Sequence, residues 1–189
     1  MGRTDQSHPL HILALGVGNV LMTDEAAGPL AVQRFEAEHG AGLGVTCLDV
    51  GTLGFPLAAE IGAADALIVF DAARFHAAPG TVRVLEGAAM DHFVRSGSLS
   101  VHEVGLRDLL DMARLTGDLP GLRALIGIEP GEIGWGLAPS APVAEALPRA
   151  VAEAARIVRA WRTEHAARAD AAAEEAAEDA LIAAVGGRA

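Results

Sequence analysis

The sequence predicts an α/β fold: a three-layer sandwich in which helices cover both faces of a twisted, mostly parallel five-stranded sheet. Apolar segments of strand length alternate along the chain with segments of helical periodicity, which is the order expected of a parallel sheet. Residues 66–70 (ALIVF) are apolar without alternation, a pattern typical of a parallel strand covered on both faces. The chain has 189 residues, 51% of them hydrophobic, which is enough for one domain with a sizeable core.

Each element follows from a local pattern of residue types. The alternation of apolar residues at 81–85, after the Pro79-Gly80 turn, predicts an exposed or edge strand, and Ser100 with Glu103 has the spacing of a helix capping box. In chain order, the prediction is a flexible leader at residues 1–10, a strand at 11–17, a helix from Gly28, a strand at 45–50, a short helix at 55–61, a strand at 66–70, an edge strand at 81–85, a loop at 91–101, a helix from Ser100, a strand at 122–128, a loop at 129–142 and a helix at 143–165.

The first helix is placed by proline. Pro29 is tolerated in the first turn of a helix but not in its interior, so the helix begins near Gly28. Asp24 and Glu25 are then left in the loop before it. The last helix contains Pro148, which is expected to kink or restart it. Residues 11–165 are expected to form the single domain, and residues 166–189 an Ala/Glu-rich tail that is partly helical or disordered.

Composition excludes several classes of function. The net charge of −11 and the lack of clustered arginines disfavour a nucleic-acid-binding protein. No apolar segment is long enough to span a membrane, and the polar first residues lack the apolar region of a signal peptide. The single cysteine, Cys47, cannot form an internal disulfide, so the expected compartment is the reducing cytoplasm.

Three residues could bind a metal ion together. Glu25 follows the first strand, Asp71 ends the third, and His102 lies at the start of a later helix. The carboxyl ends of parallel strands meet at one edge of a sheet, so both acids should emerge there. Two carboxylates and one imidazole suit a borderline divalent metal with positions left open for water or substrate. Taken singly, however, each residue could be only a helix cap or a surface side chain.

Other motifs give weaker signals. The Gly16-Val-Gly18 turn resembles a phosphate-binding loop, but it lacks the third glycine of a dinucleotide site, and Asp49 is too far along the chain to bind a ribose. The adjacent acids Asp24 and Glu25 would also repel a phosphate. Cys47 lies in a predicted strand and is expected to be inert. Trp135, in a glycine-rich loop, is either a partner contact, a lid anchor or part of the packing of that loop.

The chain resembles the endopeptidases that mature nickel–iron hydrogenases. The resemblance covers about residues 11–162 and depends on motifs that occur in the same order. They are residues 16–28 (GVGNVLMTDEAAG), 49–54 (DVGTLG), 71–72 (DA), 100–106 (SVHEVGL), 126–130 (IGIEP) and 136–139 (GLAP).

The resemblance implies a fold, a substrate and a set of site residues. The fold is a twisted sheet between helices, and the substrate is the hydrogenase large-subunit precursor, which loses a short C-terminal extension after nickel insertion. Glu25, Asp71 and His102 would recognise the nickel, and Asp24 and Asp49 are the candidate catalytic carboxylates, with Asp49 orienting a ligand or a water. The nickel is presented by the substrate, and the free enzyme need not hold a metal permanently. A non-catalytic maturation chaperone and a nucleotide-binding module remain as alternatives.

Overall fold

The computed structural model describes residues 8–51, 57–96 and 103–186, without the side chains of residues 103–104 and 178–186. The strands and helices follow the predicted alternation. In chain order they are β1 (Ile12–Val17), a 3-10 turn (Thr23–Ala26), α1 (Ala27–Phe35), a π-helical turn (Glu36–Gly40), α2 (Ala41–Leu43), β2 (Val45–Gly51), α3 (Leu57–Ala63), β3 (Ala66–Ala72), β4 (Val82–Glu86), α4 (Ala88–Arg95), α5 (Glu103–Thr116), β5 (Leu122–Ile128) and α6 (Ala141–Gly186).

The five strands form one mixed, mostly parallel sheet in the order β2-β1-β3-β5-β4. The pairs β1–β2, β1–β3 and β3–β5 are parallel, and β4 pairs antiparallel with β5 at one edge. The fold class is therefore confirmed, as is the position of the strand near residues 81–85 at an edge. Strands β1 and β3 lie inside the sheet and are buried along their whole length, which explains their continuous apolar sequence.

Helices cover both faces of the sheet and create two hydrophobic cores. Side chains of β3 alternate between them: Ile68 and Phe70 pack beneath α1 and α6, whereas Leu67 and Val69 pack beneath α3, α4 and α5. This alternation follows from the two-residue period of a strand, and it decides which face each polar residue near the end of a strand occupies.

Helix α4 corrects the prediction that residues 91–101 form a loop. Residues 91–95 are helical, and residues 97–101 lie outside the described part of the chain. Two apolar residues one turn apart, Met90 and Val94, are buried against the sheet. Asp91 is paired with Arg123 at 2.7 Å and with Arg114 at 2.9 Å. Both arginines come from distant parts of the sequence, so the residue pattern within 88–95 alone was too weak to predict helix α4.

Helix α6 is longer and more continuous than predicted. It runs through Pro148 without interruption and reaches Gly186, so the described part of the expected tail is helical. Proline removes one backbone N–H from the helix. Buried residues on both sides of it, Ala146, Ala150 and Val151, pack in the core and stabilise the helix there. Within the described residues, none of the helices combines the length and the apolar character needed to cross a bilayer.

Candidate functional site

Glu25 and Asp71 lie at the carboxyl edge of the two central strands. Glu25 belongs to the 3-10 turn after β1, and Asp71 is the penultimate residue of β3, within the strand rather than directly after it as predicted. Strands β1 and β3 are adjacent and parallel, and the 3-10 turn packs against β3. Both side chains are only 1% exposed. Burying carboxylates is costly, so two at one edge of a sheet are typical of a functional site.

Two glycines allow the turn that carries Glu25 to seat against the sheet. Gly18 has a φ of 142°, which L side chains rarely adopt, and a Cβ there would collide with the carbonyl oxygen of Glu25. A Cβ on Gly28 would lie 2.5 Å from the carbonyl oxygen of Phe70 and would also collide with that of Val17. The glycines of the first motif therefore permit close packing of the backbone at this edge.

Asp24, the neighbour of Glu25, is fully buried and hydrogen-bonded to a loop more than 100 residues away in sequence. Its Oδ2 accepts hydrogen bonds from the backbone N–H groups of Gly131 (2.7 Å) and Glu132 (2.8 Å) and from the Ser140 hydroxyl (2.9 Å). Its Oδ1 accepts one from the Ser140 N–H at 2.6 Å. Four donors around one carboxylate leave little room for a substrate or a water, which favours a positioning role over the predicted catalytic role.

The pKa of Asp24 reflects the same contacts. Burial by itself would raise the pKa of this carboxyl group, but the hydrogen bonds from Glu132, Ser140 and Gly131 outweigh it and hold the pKa below its ordinary value. Asp24 is therefore charged at neutral pH. A carboxylate that is buried, charged and saturated with donors ties the turn to the loop between β5 and α6.

Asp49 is not brought together with the two buried acids. It lies in β2, the edge strand, and is exposed. In the parallel register Asp49 pairs with Gly16, which in turn pairs with Phe70, so its side chain is on the α1 face of the sheet. There Gln33 of α1 donates a hydrogen bond to its Oδ2 at 2.9 Å. Asp71 lies one residue after Phe70 and is therefore on the opposite face. The catalytic role of Asp49 stays a prediction.

His102, the third predicted metal ligand, lies outside the described residues, as does Ser100. The described part of α5 begins at Glu103, and its buried Leu106 and Leu109 pack on the same face of the sheet as Leu67 and Val69. Asp71 belongs to that face by strand alternation. Among the residues that the structure describes, no group of three or more His, Cys, Asp or Glu side chains is placed to bind a metal ion.

Glu129 is a buried acid that lies in the IGIEP motif of residues 126–130 but was not predicted to be a site residue. It follows β5 directly, is 6% exposed, and its Oε2 accepts hydrogen bonds from the backbone N–H groups of Phe75 (2.6 Å) and Ala77 (3.1 Å). It therefore holds the loop between β3 and β4 at the same edge as Asp71. The motif marks the position of Glu129, but its hydrogen-bond partners are 54 and 52 residues away in sequence, so no local pattern could predict this contact.

The comparisons with known proteins show the family of the chain. Residues 29–157 match the family model described as hydrogenase maturation protease, HycI. The chain belongs to the hydrogenase maturation protease family. It is 37% identical over 151 residues to the hydrogenase expression/formation protein HupD of Rhizobium leguminosarum bv. viciae, covering 79% of this chain and 75% of that protein. It is 38% identical over 159 residues to HupD of Rhodobacter capsulatus, covering 82% and 75%.

Solved structures of the hydrogenase maturation protease family share the fold. The hydrogenase maturating endopeptidase HybD of E. coli aligns with a TM-score of 0.72 at 31% identity, covering 79% of this chain and 93% of that one. The maturation protease HybD of Thermococcus kodakarensis aligns with a TM-score of 0.67 at 28% identity, covering 79% and 99%. The chain is thus a peptidase with a role in hydrogenase maturation. This membership favours the peptidase over the chaperone and nucleotide-binding alternatives.

Proposed function

We propose that this peptidase removes the C-terminal extension of a nickel–iron hydrogenase large-subunit precursor after nickel has been inserted. Glu25, Asp71 and His102 recognise the nickel, which arrives with the substrate. The observation that carries the proposal is the burial of Glu25 and Asp71 at the carboxyl edge of two adjacent strands, in a turn and a strand that pack together. Asp24 is equally buried in the same turn, but its carboxylate accepts four hydrogen bonds from residues 131–140.

The chemistry of the donors supports a metal carried by the substrate. Carboxylate oxygens with an imidazole suit divalent nickel and leave further positions for ligands from the substrate. A site that is assembled partly by the substrate also gives selectivity, because a precursor without nickel offers nothing for the two acids to bind. Burial strengthens this discrimination, since charges interact more strongly when water is excluded.

The reaction is the hydrolysis of one peptide bond. A water oxygen attacks the carbonyl carbon of the scissile bond, the carbon–nitrogen bond breaks, and a proton passes to the leaving amine. The substrate-bound nickel either polarises that carbonyl and activates the water or serves only to dock the precursor. Asp24 would hold the turn of Glu25 in place through its hydrogen bonds to the loop between β5 and α6.

The test of nickel recognition compares two forms of the same precursor. Purified chain is incubated with nickel-loaded and with nickel-free large-subunit precursor, and the shortened product is followed by mass spectrometry. We expect cleavage of the loaded form only. Equal cleavage of both forms would exclude nickel recognition, and a precursor that is bound but never shortened would favour the chaperone alternative.

The role of Asp71 is tested by Asp71→Asn, which keeps the shape of the side chain and removes its charge. We expect kcat/KM for nickel-loaded precursor to fall by roughly 100-fold or more, because a metal-recognising carboxylate is lost and the loss even of a group that supports a metal ligand costs about 10–100-fold. The matched control is Asp108→Asn, which changes an exposed aspartate on α5. Circular dichroism and thermal denaturation check that both variants fold. A folded Asp71→Asn variant with full activity would remove Asp71 from the site.

A further inference from the structure

Four large apolar side chains lie exposed beside the turn of Glu25. Trp135 is 83% exposed and Leu137 is 84% exposed, and Val20 and Leu21 are about half exposed (45% and 50%). We call these four residues the apolar rim patch. A run of exposed apolar side chains on two neighbouring segments is unusual on a protein surface and marks sites where another molecule binds.

The first segment of the patch is an unusual β-turn. The Met22 N–H donates to the carbonyl oxygen of Asn19 at 3.0 Å, so Val20 and Leu21 occupy the two central positions of the turn. The Asn19 side chain also accepts a hydrogen bond from the Leu21 N–H at 3.0 Å. The central positions of turns usually carry glycine, proline or short polar residues, which fit the turn backbone or hydrogen-bond to it. Two branched apolar residues there are not explained by the local fold.

The second segment is paired to the first. The Gly136 N–H donates to the Leu21 carbonyl at 3.1 Å, the Thr23 N–H donates to the Gly134 carbonyl at 3.0 Å, and Met22 and Trp135 form an antiparallel bridge. Trp135 and Leu137 are therefore held beside the tip of the turn. The patch is one surface made from two distant parts of the chain.

The patch is continuous with the candidate site and rigidly held. Thr23, one residue after the bridge, donates its hydroxyl to the Glu132 carbonyl at 2.6 Å, and Asp24 binds the same loop through four hydrogen bonds. Glu25 follows immediately. A molecule that rests on the patch therefore contacts the segment that leads directly into Glu25, and a surface that is already ordered loses little conformational entropy on binding.

We infer that the apolar rim patch docks an apolar segment of the hydrogenase large-subunit precursor next to its scissile bond. This inference rests on the proposed function. A second copy of the chain is the less suitable occupant, because each copy carries a net charge of −11 and exposes Glu132 beside the patch. The patch contributes the same binding free energy to the bound precursor and to the transition state. Loss of a patch side chain therefore raises KM and leaves kcat unchanged.

The first experiment measures cleavage of nickel-loaded precursor by Trp135→Ser and Leu137→Ser. The matched control is Leu115→Ser, because Leu115 is 89% exposed but lies near the end of α5, which leads to the start of β5, whereas the patch lies beyond the end of β5. We expect KM to rise about tenfold or more in each patch variant, as for truncated anchors of protein interfaces, with kcat within twofold and with the control unchanged. Trp135→Phe should recover most of the lost affinity. Patch variants with the KM of the wild type overturn the inference.

The second experiment observes docking directly by fluorine NMR. The chain has two tryptophans, Trp135 on the surface and Trp161 in the core, so a fluorotryptophan-labelled chain gives two signals that Trp135→Phe assigns. Unlabelled nickel-loaded precursor should shift the Trp135 signal and leave that of Trp161 in place. A Trp135 signal that does not shift when the precursor is added overturns docking. A Trp135 signal that shifts with the concentration of the chain alone also overturns docking, because it shows that a second copy of the chain binds the patch.

The two experiments separate the failure of docking from the failure of the proposed function. If the wild type cleaves the precursor and the patch variants have the same KM as the wild type, docking alone is overturned. A shift of the Trp135 signal without any shortened precursor supports docking and overturns the proposed cleavage. Neither a shift nor cleavage overturns both.

Discussion

Asp24→Asn tests whether the Asp24 carboxylate holds the turn of Glu25 against the loop between β5 and α6. Asparagine has nearly the same shape as aspartate, but one oxygen becomes an NH₂ group that can only donate. The remaining oxygen is best placed at the Oδ2 position, where it keeps the donors of Gly131, Glu132 and the Ser140 hydroxyl. The NH₂ group then faces the Ser140 N–H, which donates to Asp24 Oδ1 at 2.6 Å in the wild type and has no acceptor there in the variant.

The cost follows from those contacts. One charge-assisted hydrogen bond is lost, a buried N–H is left facing another donor, and the remaining bonds weaken without the charge, which together destabilise the fold by about 2–4 kcal/mol. For a chain of this size that corresponds to a fall in Tm of about 4–16 °C. The measurement is urea and thermal denaturation of the wild type and the variant at neutral pH.

The pH dependence provides an independent check. The pKa of Asp24 is lower in the folded chain than its ordinary value of 3.8, so its stabilisation is fully present above pH 3.8 and is lost as the pH falls through the folded pKa. Asparagine does not titrate. The difference in the free energy of unfolding between wild type and variant should therefore be constant near neutral pH and should shrink in acid.

Ser140→Ala is the matched control for Asp24→Asn. It removes only the hydroxyl donor at 2.9 Å and keeps the backbone donor, so we expect a cost of about 0.5–1.5 kcal/mol. The double variant should cost less than the sum of the two single changes, because both act on one contact. An Asp24→Asn variant as stable as the wild type, or a difference that does not change in acid, would refute the positioning role.

Two further predictions concern packing and reactivity. Gly28→Ala should destabilise the fold by about 3 kcal/mol in urea denaturation, because the added Cβ would lie 2.5 Å from the Phe70 carbonyl oxygen. The matched control, Gly42→Ala, has no atom within 4 Å of the added Cβ and should be neutral or slightly stabilising. Equal effects of the two substitutions would contradict the close-packing argument. Burial and the charge of Glu36 raise the pKa of Cys47 from 9.0 to about 11. Iodoacetamide at mildly alkaline pH should therefore label Cys47 about 100-fold more slowly in the folded chain than in the unfolded chain, because the labelling rate is proportional to the thiolate fraction. Comparable rates would show that the fold does not protect the thiol.

Much of the fold could be predicted because its determinants are local. The strands at residues 12–17, 66–72 and 122–128 contain the apolar runs 12–17, 66–70 and 124–128, and Pro29 fixes the start of α1 within two residues. Helix α4 was missed because its stability depends on contacts of Asp91 with Arg114 and Arg123, which are 23 and 32 residues away.

The sequence by itself indicated the family through a resemblance of ordered motifs, and it predicted the five strands in order and the candidate acids, because short-range patterns encode them. It could not separate Asp24 from Glu25, two neighbouring carboxylates in one turn. Only the tertiary structure surrounds Asp24 with donors from a loop 107–116 residues further on. Strand register likewise placed Asp49 and Asp71 on opposite faces of the sheet. Both outcomes depend on which distant backbone groups meet, and that is decided when the sheet and its loops pack.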